Sequence, residues 1–312
     1  MRRALVHDFG TLERTRVVFT LDSRFSEGPG PGTVVRVSQE EELSTFSRLA
    51  AEADLTLLVA PETDGILQER ARMITQVQGR SLGSTVEAIS LAGDKHALAD
   101  HWKRFEVATP AARVVRPLEG LPRDQNYPAI LKPRFGAGCL ETYFVESFDA
   151  CPSEALSMSE AILQEYILGE SLSASFLVGA DGRSDLIGVA TQTIDREGLR
   201  LVYRGGSLPI LDEIEGISIV RRAVECVPGL RGWVGVDFIV DCRSGDVIVL
   251  EINPRVTTSL VGWRRLLGPG RIAEQWMGIF KGDKFQTDVG RREFDKIIDF
   301  DADGTIREGH KC

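Results

Sequence analysis

The chain is short of the residues that staple small secreted folds. Its five cysteines, Cys139, Cys151, Cys226, Cys242 and Cys312, are odd in number and no two form a CxxC. That excludes a disulfide framework and a structural zinc site as organising devices. The four histidines have no HExxH spacing and no pairing with a serine nucleophile. No apolar run approaches the roughly 20 residues that span a bilayer. The basic start Met1-Arg2-Arg3 is broken by Asp8 before an apolar stretch of signal-peptide length develops. Positive charge is also in deficit: 37 Lys+Arg against 46 Asp+Glu leave a net −9. A surface of that sign repels polyanions, which excludes coating of nucleic acid but not a local basic pocket for a small anion. No GxxxxGK[ST] occurs, so there is no P-loop. These absences describe a soluble cytoplasmic chain with reduced thiols.

What is present is a chain of 312 residues, long enough for about two domains, with an ordinary globular composition. Strands are expected over 16–21, 34–37 and 55–60, helices over 39–53 and 66–77, and a Gly-Pro loop over 28–32. The nearly continuous apolar run at 55–60 suits a strand covered on both faces. This alternation predicts a small α/β unit with a parallel sheet up to about residue 90. A helix over 94–105 follows, then strands over 128–133 and 161–167 and two longer antiparallel strands over 172–178 and 186–193. A helix over 216–227, a hairpin over 235–253 and a helix over 259–267 complete the pattern. From Lys284 the chain reads as a charged tail ending in a mobile polar segment. Asp299, Asp301, Asp303 and Gly304 imitate the start of an EF-hand loop. Its twelfth position would be His310, so the stretch reads as solvated acid. Gly268 to Ala273 satisfies GxGxxA but follows a helix rather than a strand, which argues against a dinucleotide site.

The hairpin carries the most chemistry. With its turn centred on Ser244, Asp237 lies opposite Glu251, Val236 opposite Ile252 and Phe238 opposite Leu250. Alternation then puts Asp237, Glu251 and Asn253 on one face. Two carboxylates and an amide oxygen are hard ligands suited to Mg²⁺ or Mn²⁺. The plainer alternative is a pair of solvent-facing charges, but facing carboxylates destabilise a sheet and call for a cation. Lys132 ends a strand ahead of the loop containing Gly136 and Gly138, where an ammonium and loop amides can meet a phosphate. Taken alone, a lysine there is usually just solvated. Gln164, Glu165, Tyr166 and Ile167 form an apolar strand end running into Gly169 and Glu170, which can offer backbone to a base and a carboxylate to a ribose. In isolation it reads as a connector.

Together these three elements resemble the ATP-grasp superfamily over roughly residues 90–280. The resemblance implies α/β and α+β architecture: an N-terminal Rossmann-like pre-ATP-grasp α/β domain over 1–90, with two α+β subdomains, 91–170 and 171–283, sandwiching ATP, and a charged tail over 284–312. It implies ATP-phosphate contacts for Lys132 and Lys95 and a flexible loop at Gly136 to Gly138. It places an adenine hinge at Gln164, Glu165, Tyr166 and Ile167, a ribose contact at Glu170, and metal ligands at Asp237, Glu251 and Asn253. Closer still, residues 54–65, Gly83-Ser84-Thr85-Val86-Glu87-Ala88, Gly93-Asp94-Lys95, Gly169-Glu170-Ser171 and the run from Glu251 to Ser259 resemble the tyramine–glutamate ligases, enzymes of methanofuran biosynthesis. That implies phosphorylation of a glutamate carboxylate, attack by an amine, and release of ADP and phosphate. One departure is that the family's opening strand and its Gly-rich turn are missing, through either a late start or a pared-down N-terminal domain.

Arg255 is then expected to hold the γ-phosphate or acyl carboxylate by a bidentate fork, and the 134–140 loop to exclude water. Arg204 is a candidate for the substrate carboxylate, its alternative being a solvated loop arginine. Thr257-Thr258-Ser259 either caps the next helix or meets an anion. The partners are small molecules, an amino-acid carboxylate and an amine, with no nucleic acid and no membrane; a homodimer stays open. A dipeptide-forming or polyglutamylating ligase and a non-catalytic ATP-binding protein are the competing readings.

Overall fold

The computed structural model describes residues 1–25, 31–136, 138–283, 294 and 296–307. The first part of the 28–32 loop, Ala137 of the glycine loop, His310 and Cys312 lie outside the described residues. The N-terminal part comprises α1 (Arg2–Gly10), β1 (Val18–Asp22), β2 (Thr33–Val37), α2 (Glu42–Glu52), α3 (Ile66–Gln76) and α4 (Val86–Gly93). β1 and β2 pair in parallel, as the alternation of strand and helix predicts. The 55–60 run forms no third ladder strand. It makes a single parallel bridge, Thr56 to Ser81. Its apolar continuity has a different cause: Leu55 and Leu57 pack against one core while Leu58 and Ala60 pack against another. α1 belongs with the C-terminal core, where Leu5 and Phe9 are buried beside Trp276.

The rest of the chain builds two sheets. Its elements are α5 (Lys95–Lys103), β3 (Ala112–Val115), β4 (Ala129–Pro133), β5 (Tyr143–Val145), β6 (Ala161–Glu165), β7 (Gly169–Val178), β8 (Ser184–Thr191), β9 (Thr193–Glu197), β10 (Arg200–Leu208), α6 (Ile217–Glu225), β11 (Gly232–Asp241), β12 (Val247–Asn253), α7 (Leu260–Leu267), α8 (Arg271–Lys281), β13 (Ile298–Asp301) and β14 (Ile306–Arg307). One sheet runs β14-β13-β10-β5-β4-β6-β3 with β9 on β10; the other runs β12-β11-β7-β8. The second sheet is buried against α5 and α6 through Phe176, Val236 and Phe238, and Trp102 of α5 donates its indole N–H to the Ala223 carbonyl of α6. Among the described residues no helix is long and apolar enough to cross a membrane.

One expectation needs correction here. The tail is not a loose charged segment throughout: β13 pairs with β10 from Gly205 opposite Asp301 to Leu208 opposite Ile298. Ile298 and Phe300 are buried while Asp299 and Asp301 between them are not, a period of two that the high charge density disguised. Asp301 and Asp303 serve the hairpin turn, accepting from the Gly304 and Thr305 amides, which removes the EF-hand likeness. The GxGxxA run joins α7 to the first turn of α8, with no strand before it.

Gly205 makes this pairing possible. Its φ is +132° and a Cβ there would run into the Phe300 carbonyl. Gly205→Val should therefore cost about 2–4 kcal/mol, read as a lower denaturation midpoint. Unchanged stability would show that β13 gives way without cost.

Candidate active site

β4 and β6 pair so that Ile130 faces Gln164 and Lys132 faces Ile162. Lys132 and Gln164 therefore share one face, and both are buried. Ala129, Leu131 and Leu163 take the other face, inside a separate core. Glu165 alternates to that other face, so its side chain is turned away from Gln164; its amide donates to the Ala111 carbonyl. Tyr166 stands edge-on to Phe144 at 4.9 Å, with Ile167 half-buried beside it. Glu170 is exposed at the start of β7. Gly169 lies so close to β11 that a Cβ would collide with the Val240 carbonyl.

The second sheet supplies the carboxylates. β11 places Asp237 opposite Glu251 of β12 on one side and Ser173 of β7 on the other. The expected pairing of Phe238 with Leu250 is wrong by one residue: Phe238 faces Val249, because the ladder shifts between Asp237 and Phe238. The shift has a function in the packing. Val247, Val249 and Ile252 all enter the core, which strict alternation forbids. The extra residue, Leu250, reverses the phase and turns Glu251 and Asn253 to the opposite face. Asp237 accepts from Gln192 Nε2 at 3.1 Å, from Asn253 Nδ2 at 3.0 Å and from Ser173.

Lys95 opens α5. Its Nζ donates to the Gly136 carbonyl at 2.6 Å and lies 3.7 Å from Glu251 Oε2. Asp94 caps α5 by accepting from the His96 and Ala97 amides, and Arg134 grips the same carboxylate at 2.9 and 2.6 Å. The glycine loop is thus anchored at its root. Burial works against ionisation of Asp94, but the Arg134 and amide hydrogen bonds hold its carboxyl below the usual range. A depressed carboxyl contributes stability above its unfolded value of 3.8, lost as pH falls through the lower folded value. Arg134→Met should flatten that acid limb of the stability curve; an unaltered limb would remove Arg134 as its cause.

The electrostatics of the cleft are polarised. Burial, then repulsion from Glu251, pushes the Asp237 carboxyl up to about 7. Glu251 goes the other way: despite its burial, Lys95 and Lys132 hold it down. Burial lowers Lys132, with Glu251 opposing. Cys139 and Tyr203, which the sequence reading left out, also face this cluster. Burial, then Glu251 and Asp237, pushes the Cys139 thiol up to about 12, and burial with Asp237 raises the Tyr203 hydroxyl. Perturbed groups of this kind concentrate at functional sites.

Tyr203 takes the place expected of its neighbour. Arg204 points to the exposed side of β10, paired with Asp195 at 2.9 Å and with Glu197, so the structure does not bring it to the cleft. Alternation along 201–204 puts the two on opposite faces. Arg255 donates Nε to Glu62 at 2.6 Å, Nη1 to the Val256 carbonyl and Nη2 to Asn253 Oδ1 at 3.4 Å. Ser259 precedes α7 but makes no side-chain cap bond. Its hydroxyl instead meets Ser175 and Thr257, and Thr257 accepts from the Trp233 indole. Among the described residues no group of three or more His, Cys, Asp and Glu side chains gathers as a metal cluster; the oxygen donors here are two carboxylates and an amide.

Comparison with known proteins identifies the family and the fold. Residues 92–259 match the ATP-grasp domain model and 15–89 the pre ATP-grasp 3 domain model. The chain is 30% identical over 271 residues to the tyramine–L-glutamate ligase of Methanocaldococcus jannaschii, covering 82% of this chain and 76% of that one. A crystal structure of an ATP-grasp superfamily protein from Archaeoglobus fulgidus superposes with a TM-score of 0.62 at 26% identity, over 86% of this chain and 75% of that one. The L-amino acid ligase of Bacillus licheniformis shares the fold, with a TM-score of 0.71 at 15% identity over 91% and 73% of the two chains. This chain belongs to the ATP-grasp superfamily, as an enzyme of its amide-forming ligases.

Proposed function

We propose that the protein is an ATP- and divalent-metal-dependent carboxylate–amine ligase. It joins glutamate to tyramine, tyrosine or a similar amine in the cytoplasm, for a methanofuran-like one-carbon cofactor. One observation carries the reading: the half-buried facing pair Asp237 and Glu251, with Lys95 and Lys132 acting on Glu251. The donor set fits Mg²⁺ or Mn²⁺, since Asp237, Glu251 and the Asn253 amide are all hard oxygen ligands and Asp237 is short of positive charge. A bound divalent cation would supply neutralisation of nucleotide phosphate oxygens.

The chain's own residues do the rest. Lys132 and Lys95 present fixed ammonium groups to the phosphates. Gln164 to Ile167 and Glu170 line the nucleotide's base and ribose. The loop anchored by Arg134 covers the phosphates and keeps water from the acyl phosphate, whose phosphate is then displaced by the amine. Among the described residues Arg255 uses three of its five N–H groups, which leaves two to bind the reacting carboxylate.

The test is ADP release with a panel of amino acids and amines. A folded, ATP-binding sample in which no acid–amine pair stimulates ADP formation would sink the ligase reading. Lys132→Ala should weaken ATP binding by about tenfold or more; unchanged affinity would remove its phosphate role.

A further inference from the structure

Glu62 has a second, unused oxygen. Its side chain is only 6% exposed, and Oε2 accepts from Arg255 Nε at 2.6 Å. Oε1 is shut off from solvent and has no hydrogen-bond partner among the described residues. A buried carboxylate oxygen without a donor is costly and uncommon.

Its placement is built, not incidental. Glu62 stands at the head of a tight turn in which Asp64 and Gly65 are left-handed, at φ +54° and +70°. The Gly65 amide closes onto the Glu62 carbonyl at 3.1 Å, and Leu67 at the start of α3 donates to the Pro61 carbonyl at 3.0 Å. The turn brings a carboxylate of the N-terminal part to Arg255, two residues beyond Asn253. Arg255 retains two N–H groups after its three internal bonds. An unpartnered anionic acceptor and a cationic guanidinium therefore lie side by side.

That pairing complements a zwitterion. We propose that Glu62 recognises the ammonium of an α-amino-acid substrate through Oε1 while Arg255 takes a carboxylate of the same molecule. An ammonium gives Oε1 a charge-assisted donor. The substrate's carboxylate offsets the repulsion its ammonium would feel from Arg255. Glu62 is then a specificity residue as well as the anchor of Arg255. The inference rests on the ligase reading for which amino acid to try first.

The test measures binding of L-glutamate and of glutarate, its counterpart without the ammonium, to the full-length protein by calorimetry. Wild type should prefer L-glutamate by about tenfold or more. Glu62→Gln, which keeps the shape and an acceptor for Arg255, should reduce the preference to about twofold or less while ATP affinity holds. A variant that keeps the preference would make Glu62 an anchor of Arg255 alone and overturn the proposal. Loss of tyramine binding with the glutamate preference intact would overturn it too, by placing the amine there. Should Glu62→Gln fail to fold, wild type still decides: equal affinity for the two acids, or none for either, is contrary to the proposal. ADP release is scored separately. Failure of acid-stimulated release sinks the ligase reading, whereas an active ligase indifferent to Glu62→Gln sinks only this inference.

Discussion

An Asp237→Asn variant should fold, bind no activating divalent cation and lose amide formation by about three orders of magnitude or more. The substitution keeps the size and one acceptor oxygen of Asp237, so the β7–β11–β12 ladder around it is undisturbed. What goes is one charge of the facing pair, together with the acceptor of either Gln192 or Asn253, whose amide can turn to present its own oxygen instead. Without cation, two half-buried carboxylates opposed across strands repel, and that repulsion adds to burial in raising the Asp237 carboxyl. Relieving it means that the variant melts no lower than wild type in chelator. Glu251→Gln is the instructive contrast. Glu251 is the carboxylate that Lys95 and Lys132 hold ionised, so its removal takes from buried Lys132 the larger of the carboxylate charges that act on it. That variant is equally inactive and less stable. Mg²⁺ or Mn²⁺ should raise the wild-type melting temperature through binding to the native state and leave both variants unmoved. An Asp237→Asn enzyme retaining a tenth of wild-type ADP release would end the assignment.

Much of this site was legible because it sits on strands. A period of two and a polar turn were enough to set Asp237 against Glu251, and β4 ends at Lys132 and Pro133 as read. The register between that pair and the turn was not legible. A bulge at Leu250 is a tertiary event, forced by Val249 and Ile252 both needing the core, and nothing local marks it. Arg204 and Tyr203 show the same limit at one position. Charge favoured the arginine, but which of two adjacent side chains enters a cleft depends on sheet placement. The 298–307 hairpin was hidden for a compositional reason: alternate aspartates masked Ile298 and Phe300. Glu62 was out of reach because its partner Arg255 is 193 positions further along the chain.

Trp276→Ala should destabilise the protein by about 3–5 kcal/mol, a large share of the roughly 5–15 kcal/mol that holds a native domain together. Trp276 is 2% exposed on α8, and three separate parts of the chain meet on its indole. Phe9 of α1 packs edge-on at 5.9 Å. The Leu82 carbonyl of the N-terminal part accepts from Nε1 at 3.0 Å. Gly232, opening β11, lies so near that a Cβ would sit 2.7 Å from the ring. Truncation removes the ring from all three, leaves a cavity and deprives a buried carbonyl of its donor. Trp276→Phe isolates the last effect: it retains most of the packing and should cost about 1–3 kcal/mol. Because β11 carries Asp237 and Leu82 leads into α4 and Lys95, the Ala variant should also weaken ATP binding before it unfolds. Urea denaturation followed beside nucleotide titration would show both. An Ala variant within about 1 kcal/mol of wild type would mean that these three contacts do not couple the N-terminal part to the sheet that bears the carboxylates.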